Sequence, residues 1–277
     1  MRVRQGIFRA ALLASVAVGL VALGALIVRV VIDAWDYLDW MLLSNPPSSD
    51  STTAGARPAI IATLELMAIV IAVGVPVGVG TAIYLEEFAD SRRWYNRLLE
   101  VNIQNLAAVP SIVYGILGLG FLVHGANLGR VVLAGGLILT LLVLPTIIIA
   151  AREAIRSVPQ GVRLGAFALG ATPWQVVSRQ VLPAAIPGIA TGSILALSRA
   201  IGESAPLIMV GALLYAPRDP SLLSGFVALP VQIYNWVRLP QPEFHGLAAA
   251  AIVVLLALLL TMNAVAILLR NRFQRRW

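Results

Sequence analysis

Six long apolar runs constrain this 277-residue chain more than any other feature. A helix rises about 1.5 Å per residue, so about 20 apolar residues cross a hydrocarbon core about 30 Å thick. The runs cover approximately residues 7–32, 59–85, 98–123, 131–151, 184–214 and 247–269. None shows the period-2 alternation of a membrane strand. The pattern therefore predicts an all-α, polytopic membrane helical bundle with six transmembrane helices.

The distribution of arginines gives this bundle an orientation. All 20 basic residues are arginines, and basic residues accumulate in cytoplasmic loops. Only four of them fall in the connections on the predicted outer side: Arg57, Arg130, Arg218 and Arg238. Fourteen flank the other ends of the runs, so both termini are predicted to be cytoplasmic. This topology, together with contact with lipid headgroups, accounts for the net charge of +7 without a nucleic-acid partner.

The inner loop, residues 152–182, is too apolar for a solvated linker. Thr172 and Pro173 are typical of an N-cap and first helical residue, and Gly170 is placed to end a preceding short helix. Trp174 is expected to share a helix face with Val177 and Val181. We therefore expect two short amphipathic helices at an elbow. The apolar stripe fits either a docking element for a soluble partner or simple packing against the bundle.

Two charged residues, Arg199 and Glu203, interrupt the fifth run. A charge at the bilayer centre costs about 2.5–3.5 kcal/mol on insertion scales, so it needs a partner. Spacing of i, i+4 would place both side chains on one helix face. One interpretation is a structural lock, in which the ion pair only stabilises the helix. The other is a gate, in which Arg199 attracts an anion into a pathway and Glu203 pairs with Arg199 again after the anion has left.

Other classes of protein find little support in the residues. His124 and His245 lie in outer connections without a metal-ligand pattern, there are no cysteines, and no catalytic or metal site is predicted. A membrane-embedded enzyme would need clustered polar groups, whereas Glu65, Arg199 and Glu203 are the charged residues away from the ends of the runs. A secondary transporter usually shows internal repeats, and none is evident.

A family resemblance is carried by several motifs. The stretch GAFALGATPWQVVSRQVLP (165–183) resembles the cytoplasmic EAA loop of type I ABC-importer permeases, with Leu164 where that loop usually has a glutamate. The loop's alanine matches Ala166, its glycine Gly170, and its closing Leu-Pro pair Leu182 and Pro183. The motifs AIYLEEFA, LAAVPSIVYGILGLGF and SRAIGESAPLI look like the A-type permease subunit of the phosphate-specific transport system.

This resemblance implies a type I ABC-importer permease fold and a role in phosphate import. Its domains would be an N-terminal helix and periplasmic loop (1–58), a permease domain (59–270) and a basic cytoplasmic tail (271–277). The implied partners are a C-type permease subunit, two ATP-binding subunits and a periplasmic phosphate-binding protein. The sequence has no G-x-x-x-x-G-K-[ST] motif, so ATP and Mg²⁺ would be used by the partners and no cofactor by this chain.

The resemblance places the chain in the bacterial cytoplasmic membrane, and the residue chemistry together with the matched motif suggests the site residues. Arg199 and Glu203 would line or gate the substrate pathway. Coupling to the ATPase would rest on the elbow residues: Ala166, Gly170, Trp174, Leu182 and Pro183. A permease for another oxyanion, such as sulfate or molybdate, and a secondary transporter remain the alternatives.

The predicted topology can be checked with reporter fusions. We expect fusions at Ser49 and Ser221 to report an outer location and a fusion at Gln160 to report a cytoplasmic one, because the arginine distribution places these loops there. An inverted signal at any of the three positions contradicts the map.

Overall fold

The computed structural model describes residues 2–90, 92–211 and 219–273, and within these ranges the regular structure is helical. Eleven helices, numbered in chain order, cover most of the described residues. Their bounds are α1 Arg2–Ala34, α2 Trp40–Ser44, α3 Arg57–Phe88, α4 Trp94–Ala107, α5 Ser111–Gly125, α6 Val132–Arg156, α7 Gln160–Ala168, α8 Pro173–Ile201, α9 Ala205–Val210, α10 Leu229–Val237 and α11 Pro242–Phe273. Five of them are long and apolar enough to cross a membrane, and the bent pair α4–α5 brings the number to six if it counts as one span.

Helix α6 is the centre of the bundle. Most of its inner face is buried against α3 and α8. Gly188 and Gly192 of α8 lie directly against the side chains of Ala154 and Ala150, so a larger residue at either glycine would separate the two helices. Small residues at such contacts let helix backbones approach closely in a membrane, where packing replaces the hydrophobic effect.

Helix α1 lies at the periphery and packs against α11. Its leucine and valine side chains are largely exposed on the isolated chain, as expected for a surface that faces lipid tails. At its end the ring of Tyr37 lies against Gly246 of α11, which leaves no room for a side chain there.

The outer end of the bundle, formed by residues 35–56 and 219–241, is closed by contacts between distant segments. The first backbone N–H groups of α6 have no partner within the helix; those of Val132 and Leu133 donate to the carbonyls of Ser224 and Leu222. Arg57 pairs with Asp219 at 2.8 Å, which joins the first outer connection to the second. The two predicted outer loops therefore lie at one end, and which side of the membrane that end faces stays a prediction.

The third run is not the continuous span expected over 98–123. Its two helices, α4 and α5, meet at an angle of 107°. Pro110 supplies no backbone N–H, and its ring disfavours helical backbone at Val109, so α4 ends at Ala107. The hydroxyl of Tyr114 donates to the carbonyl of Leu106 at 2.8 Å, which supplies one of the hydrogen bonds lost at the break.

The fifth run also differs from the prediction of a helix over 184–214. Helix α8 begins already at Pro173, ends at Ile201, and is followed after a short break by α9. A π-helical turn at Val177–Val181 precedes Pro183, as one at Val70–Gly74 precedes Pro76 in α3. Such a turn accommodates a proline that removes an i−4 hydrogen bond, so the helix passes through Leu182 and Pro183 without ending.

Some of the predicted boundaries fall outside the described residues. Leu214, the expected end of the fifth run, and Arg218 belong to the undescribed stretch 212–218. In the predicted tail, 271–277, helix α11 extends to Phe273, and residues 274–277 are not described.

Candidate functional site

The break between α8 and α9 places a charged pair at a helix end. Gly202 caps α8, and Glu203 and Ser204 connect it to α9, whose first turn contains Pro206. The expectation that Arg199 and Glu203 share one helix face is therefore wrong, because the helix ends between them. The two residues remain close since the backbone N–H of Glu203 donates to the carbonyl of Ala200 and continues the turn.

The side chains of Arg199 and Glu203 still form an ion pair, with Nε of the arginine 3.3 Å from Oε1 of the glutamate. Their surroundings are unequal, since 57% of the Arg199 side chain is exposed and only 16% of that of Glu203. Glu203 also lines a very small cavity beside Thr63 and Pro230. The pair thus combines a mostly buried carboxylate with a guanidinium that reaches the surface of the chain. Arg199 lies in the last turn of α8, where a positive charge interacts favourably with the free carbonyls.

Helix α9 is held in place by close contact with α5. A Cβ atom at Gly115 would lie 2.7 Å from Cα of Pro206 and 2.8 Å from Cβ of Met209, so α5 and α9 touch through backbone at this position. Gly211 ends α9 in the left-handed region at φ 79°. The break that carries Glu203 is therefore fixed by the second helix of the bent pair.

Two further polar features of the spans belong to this neighbourhood. The hydroxyl of Ser198 donates to Oδ1 of Asn263 at 2.8 Å and links α8 to α11 beside a groove of about 350 Å³. The sequence interpretation missed this contact, although Asn263 is a conspicuous amide in the last apolar run. In α3, Oε2 of Glu65 is buried and has no hydrogen-bond partner among the described residues.

The elbow, residues 160–176, follows the predicted turn closely. Helix α7 ends before Gly170, which adopts φ 80°. Nothing lies within 4 Å of a Cβ placed there, so the backbone conformation and not space requires glycine. Thr172 caps α8 with its hydroxyl accepting from the N–H of Gln175, and the Gln175 side chain accepts from the N–H of Thr172. This reciprocal capping box confirms Thr172 and Pro173 as the start of a helix.

The faces of the elbow differ from the prediction in two ways. The second helix is not short, because the turn after Thr172 is the beginning of the long α8. Trp174 does not share a face with the buried Val177 and Val181: its indole is exposed and contacts the ring of Phe88 at a centroid distance of 6.5 Å. The π-helical turn that starts at Val177 rotates the following residues away from Trp174.

Exposed apolar side chains nevertheless cover the elbow. Leu169 is 90% exposed, and Leu164, Phe167 and Trp174 are exposed as well, while Ala166 packs inward against the cluster around Ile155 and Val181. A shallow cavity of about 260 Å³ beside Gly170 is lined by Gln175 and Arg179. An apolar patch with polar groups at its rim is typical of a protein interaction site.

Ion pairs at the base of the elbow were missed at the sequence level. Glu86 and Glu87, at the end of α3, pair with arginines of α6 and α7 over more than 60 residues of sequence. The available signal was the Glu-Glu pair at the end of an apolar run, opposite an arginine-rich loop on the same predicted side. Among the described residues no group of three or more His, Cys, Asp or Glu side chains is arranged to hold a metal ion.

Five or six apolar helices packed around α6 define a polytopic integral membrane protein. The family model described as "Binding-protein-dependent transport system inner membrane component" matches residues 74–277. The chain belongs to this family.

Individual relatives agree with this assignment. The chain is 33% identical over 255 residues to "Phosphate transport system permease protein PstA 2" of Mycobacterium bovis, covering 91% of this chain and 83% of that protein. It is 33% identical over 195 residues to "Probable ABC transporter permease protein YqgH" of Bacillus subtilis, covering 68% of this chain. That match spans 61% of the length of YqgH, less than two thirds.

A solved structure confirms the fold. The "bacterial ABC transporter involved in the import of the acidic polysaccharide alginate" contains a chain that superposes with a TM-score of 0.63 at 18% identity, covering 99% of this chain and 100% of that one. The predicted type I ABC-importer permease fold is therefore confirmed.

The conformation of Gly170 gives a local prediction. Replacing it with alanine should cost about 1–2 kcal/mol, since a left-handed backbone is strained for an L residue, and should speed amide hydrogen exchange of residues 160–176 roughly 5- to 30-fold. Gly165→Ala is the matched control, because Gly165 lies in helix α7 and has free space around it. Equal exchange in both variants would show that the turn does not depend on Gly170.

Proposed function

We propose that this chain is a membrane-spanning permease subunit of an ATP-driven importer that carries inorganic phosphate across the bacterial cytoplasmic membrane. The observation that carries the proposal is the half-exposed Arg199 at a broken helix, held by a carboxylate on one side only. A guanidinium in an apolar span does not face lipid at acceptable cost, so its exposed side needs a polar environment such as a pathway. The name of the PstA 2 relative supports phosphate as the anion.

The geometry suggests how the pair would act on an anion. A guanidinium offers several N–H donors in one plane and binds phosphate oxygens through two of them. In the resting pair Nε of Arg199 faces Glu203 at 3.3 Å, which is long for a charge-assisted hydrogen bond. Phosphate would compete for this arginine, and the mostly buried Glu203 would pair with it again after the phosphate has left. The site would then return to a state that does not retain its cargo.

The elbow would contact the subunits that hydrolyse ATP. ATP and Mg²⁺ would be bound and used by two ATP-binding subunits, which would cover the exposed apolar residues around Leu169; this chain would bind no cofactor. A C-type permease subunit would complete the pathway, and a periplasmic phosphate-binding protein would deliver substrate to the outer end. Both termini would face the cytoplasm.

Substitution of Gly170 by proline tests the coupling role. Proline fixes φ near −65°, which is incompatible with φ 80°, so the turn between α7 and α8 should be distorted. We expect assembly in the membrane to survive while ATP hydrolysis no longer drives import. Normal transport with normal stimulation of the ATPase in this variant would mean that the elbow only packs.

Arg199→Gln tests the pathway role. We expect uptake of radiolabelled phosphate into vesicles to fall roughly 10- to 100-fold, because losing a hydrogen bond to a charged group costs about 1.5–3 kcal/mol. The complex should assemble and its ATPase should turn over. Arg29→Gln is the matched control, since Arg29 and Asp33 form an exposed i, i+4 ion pair on peripheral α1. Equal loss of uptake in both variants would indicate a general effect on the fold.

The exchange of Arg199→Glu with Glu203→Arg separates a pathway residue from a structural lock. A lock tolerates the exchange, whereas a pathway arginine does not, because the guanidinium would then lie on the anchored, buried side. Uptake near the unsubstituted level therefore contradicts the gate.

Competition of phosphate uptake by sulfate or molybdate decides the substrate: inhibition at equal concentration would favour a broader oxyanion permease.

A further inference from the structure

A group of ion pairs outside the proposed pathway joins the elbow to two distant parts of the chain. It consists of five residues, here called the inner clamp: Glu86, Glu87, Arg152, Arg156 and Arg163. Glu86 and Glu87 end helix α3, Arg152 and Arg156 end α6, and Arg163 lies in the middle of α7.

Arg163 is the centre of this clamp. Its Nη2 lies 2.6 Å from Oε1 of Glu87, and its Nη atoms also donate to the carbonyls of Val158 and Ile155. These carbonyls lie at and just after the end of α6, where backbone acceptors have no partner within the helix. One side chain of the elbow therefore holds the ends of both α3 and α6.

Two further arginines extend the clamp. Arg156 binds Glu86 through two parallel hydrogen bonds of 2.9 and 3.1 Å, a geometry that fixes direction as well as distance. Arg152 lies between Glu86 and Glu100 of α4 and pairs with both. The first helix of the bent pair is thereby tied to the same group.

The clamp differs from the ordinary surface ion pairs of this chain. The side chains of Glu87 and Arg163 are only 11% and 17% exposed, whereas Arg29 and Asp33 are open to solvent or lipid. Exposed pairs contribute little, but removing one member of a buried pair leaves an uncompensated charge. Movement of α7 away from α3 would therefore break the buried Arg163–Glu87 pair and leave its charges uncompensated.

From these contacts we infer that the inner clamp makes α7 and the inner ends of α3, α4 and α6 one rigid unit, so that a displacement of the elbow moves α3 and α4 as well. Covalent continuity alone would pass the motion only to α6 and, through the turn at Gly170, to α8. This inference rests on the proposed coupling role of the elbow. Arg163 is a positioning residue within it.

The first test measures rigidity in the purified chain. The sequence has no cysteines, so spin labels at Gly161→Cys in α7 and Val77→Cys in α3, both exposed positions, report one distance between these helices. We expect the distance distribution to become roughly twice as broad in the Glu86→Gln, Glu87→Gln double variant. Glu153→Gln is the matched control, because Glu153 is exposed and its carboxylate lies 3.6 Å from Arg156. If the distance distribution of the double variant is as narrow as that of the unsubstituted protein, the inference is overturned.

The second test uses the complex with its ATP-binding subunits in vesicles. Between nucleotide-free and ATP-vanadate states, the distance from Gly161→Cys to Val77→Cys should stay constant while the distance from Gly161→Cys to Leu260→Cys of α11 changes. A change in the first distance would contradict the rigid unit. If neither distance responds to nucleotide, the coupling role of the elbow fails, and the width measured on the isolated chain still decides the rigidity of the clamp.

Discussion

Inside the membrane every backbone N–H and C=O group needs a hydrogen-bond partner, and the rest of this structure depends on that constraint. Continuous helices meet it without help. Wherever this chain interrupts a helix within an apolar run, another element supplies the missing partner or seals the break. Tyr114 donates to Leu106 across the bend between α4 and α5, and α9 seals itself against Gly115 of α5. The segment after the break at Gly202 therefore lies against the second helix of the bent pair.

This arrangement connects the breaks to the proposed gate. Glu203 belongs to the segment between α8 and α9, so its position is set by α9, and α9 is set by its backbone contact with α5. A shift of the bent pair α4–α5 would consequently displace the carboxylate relative to Arg199, which is carried by α8. The ion pair joins two elements whose positions depend on different neighbours, and that is a useful property for a pair that must open and close.

Much of the fold was predictable because run length and loop chemistry act locally. The apolar runs locate six crossing segments, and the capping residue Thr172 and the turn at Gly170 were correctly identified because each depends on its own backbone. The interpretation failed where distant residues decide. Pro110 and Gly202 are compatible with a kinked continuous helix in sequence, and only the partners Tyr114 and Pro206 show that the chain breaks there. The inner clamp was missed for the same reason, since Glu87 and Arg163 are 76 residues apart.

A series of contacts connects the inner clamp to the two helix breaks. Arg163 binds the end of α3, Arg152 joins Glu86 to Glu100 of α4, α4 leads into α5 at the bend, and α5 carries α9 and Glu203. The other route from the elbow runs along α8 to Arg199. If the elbow moves as proposed, the displacement would reach the two members of the ion pair by two routes, one through the inner clamp and the bend between α4 and α5, the other along α8. Because the first route contains a 107° bend and the second does not, the same displacement would act in different directions at the two ends and would change the distance between Arg199 and Glu203.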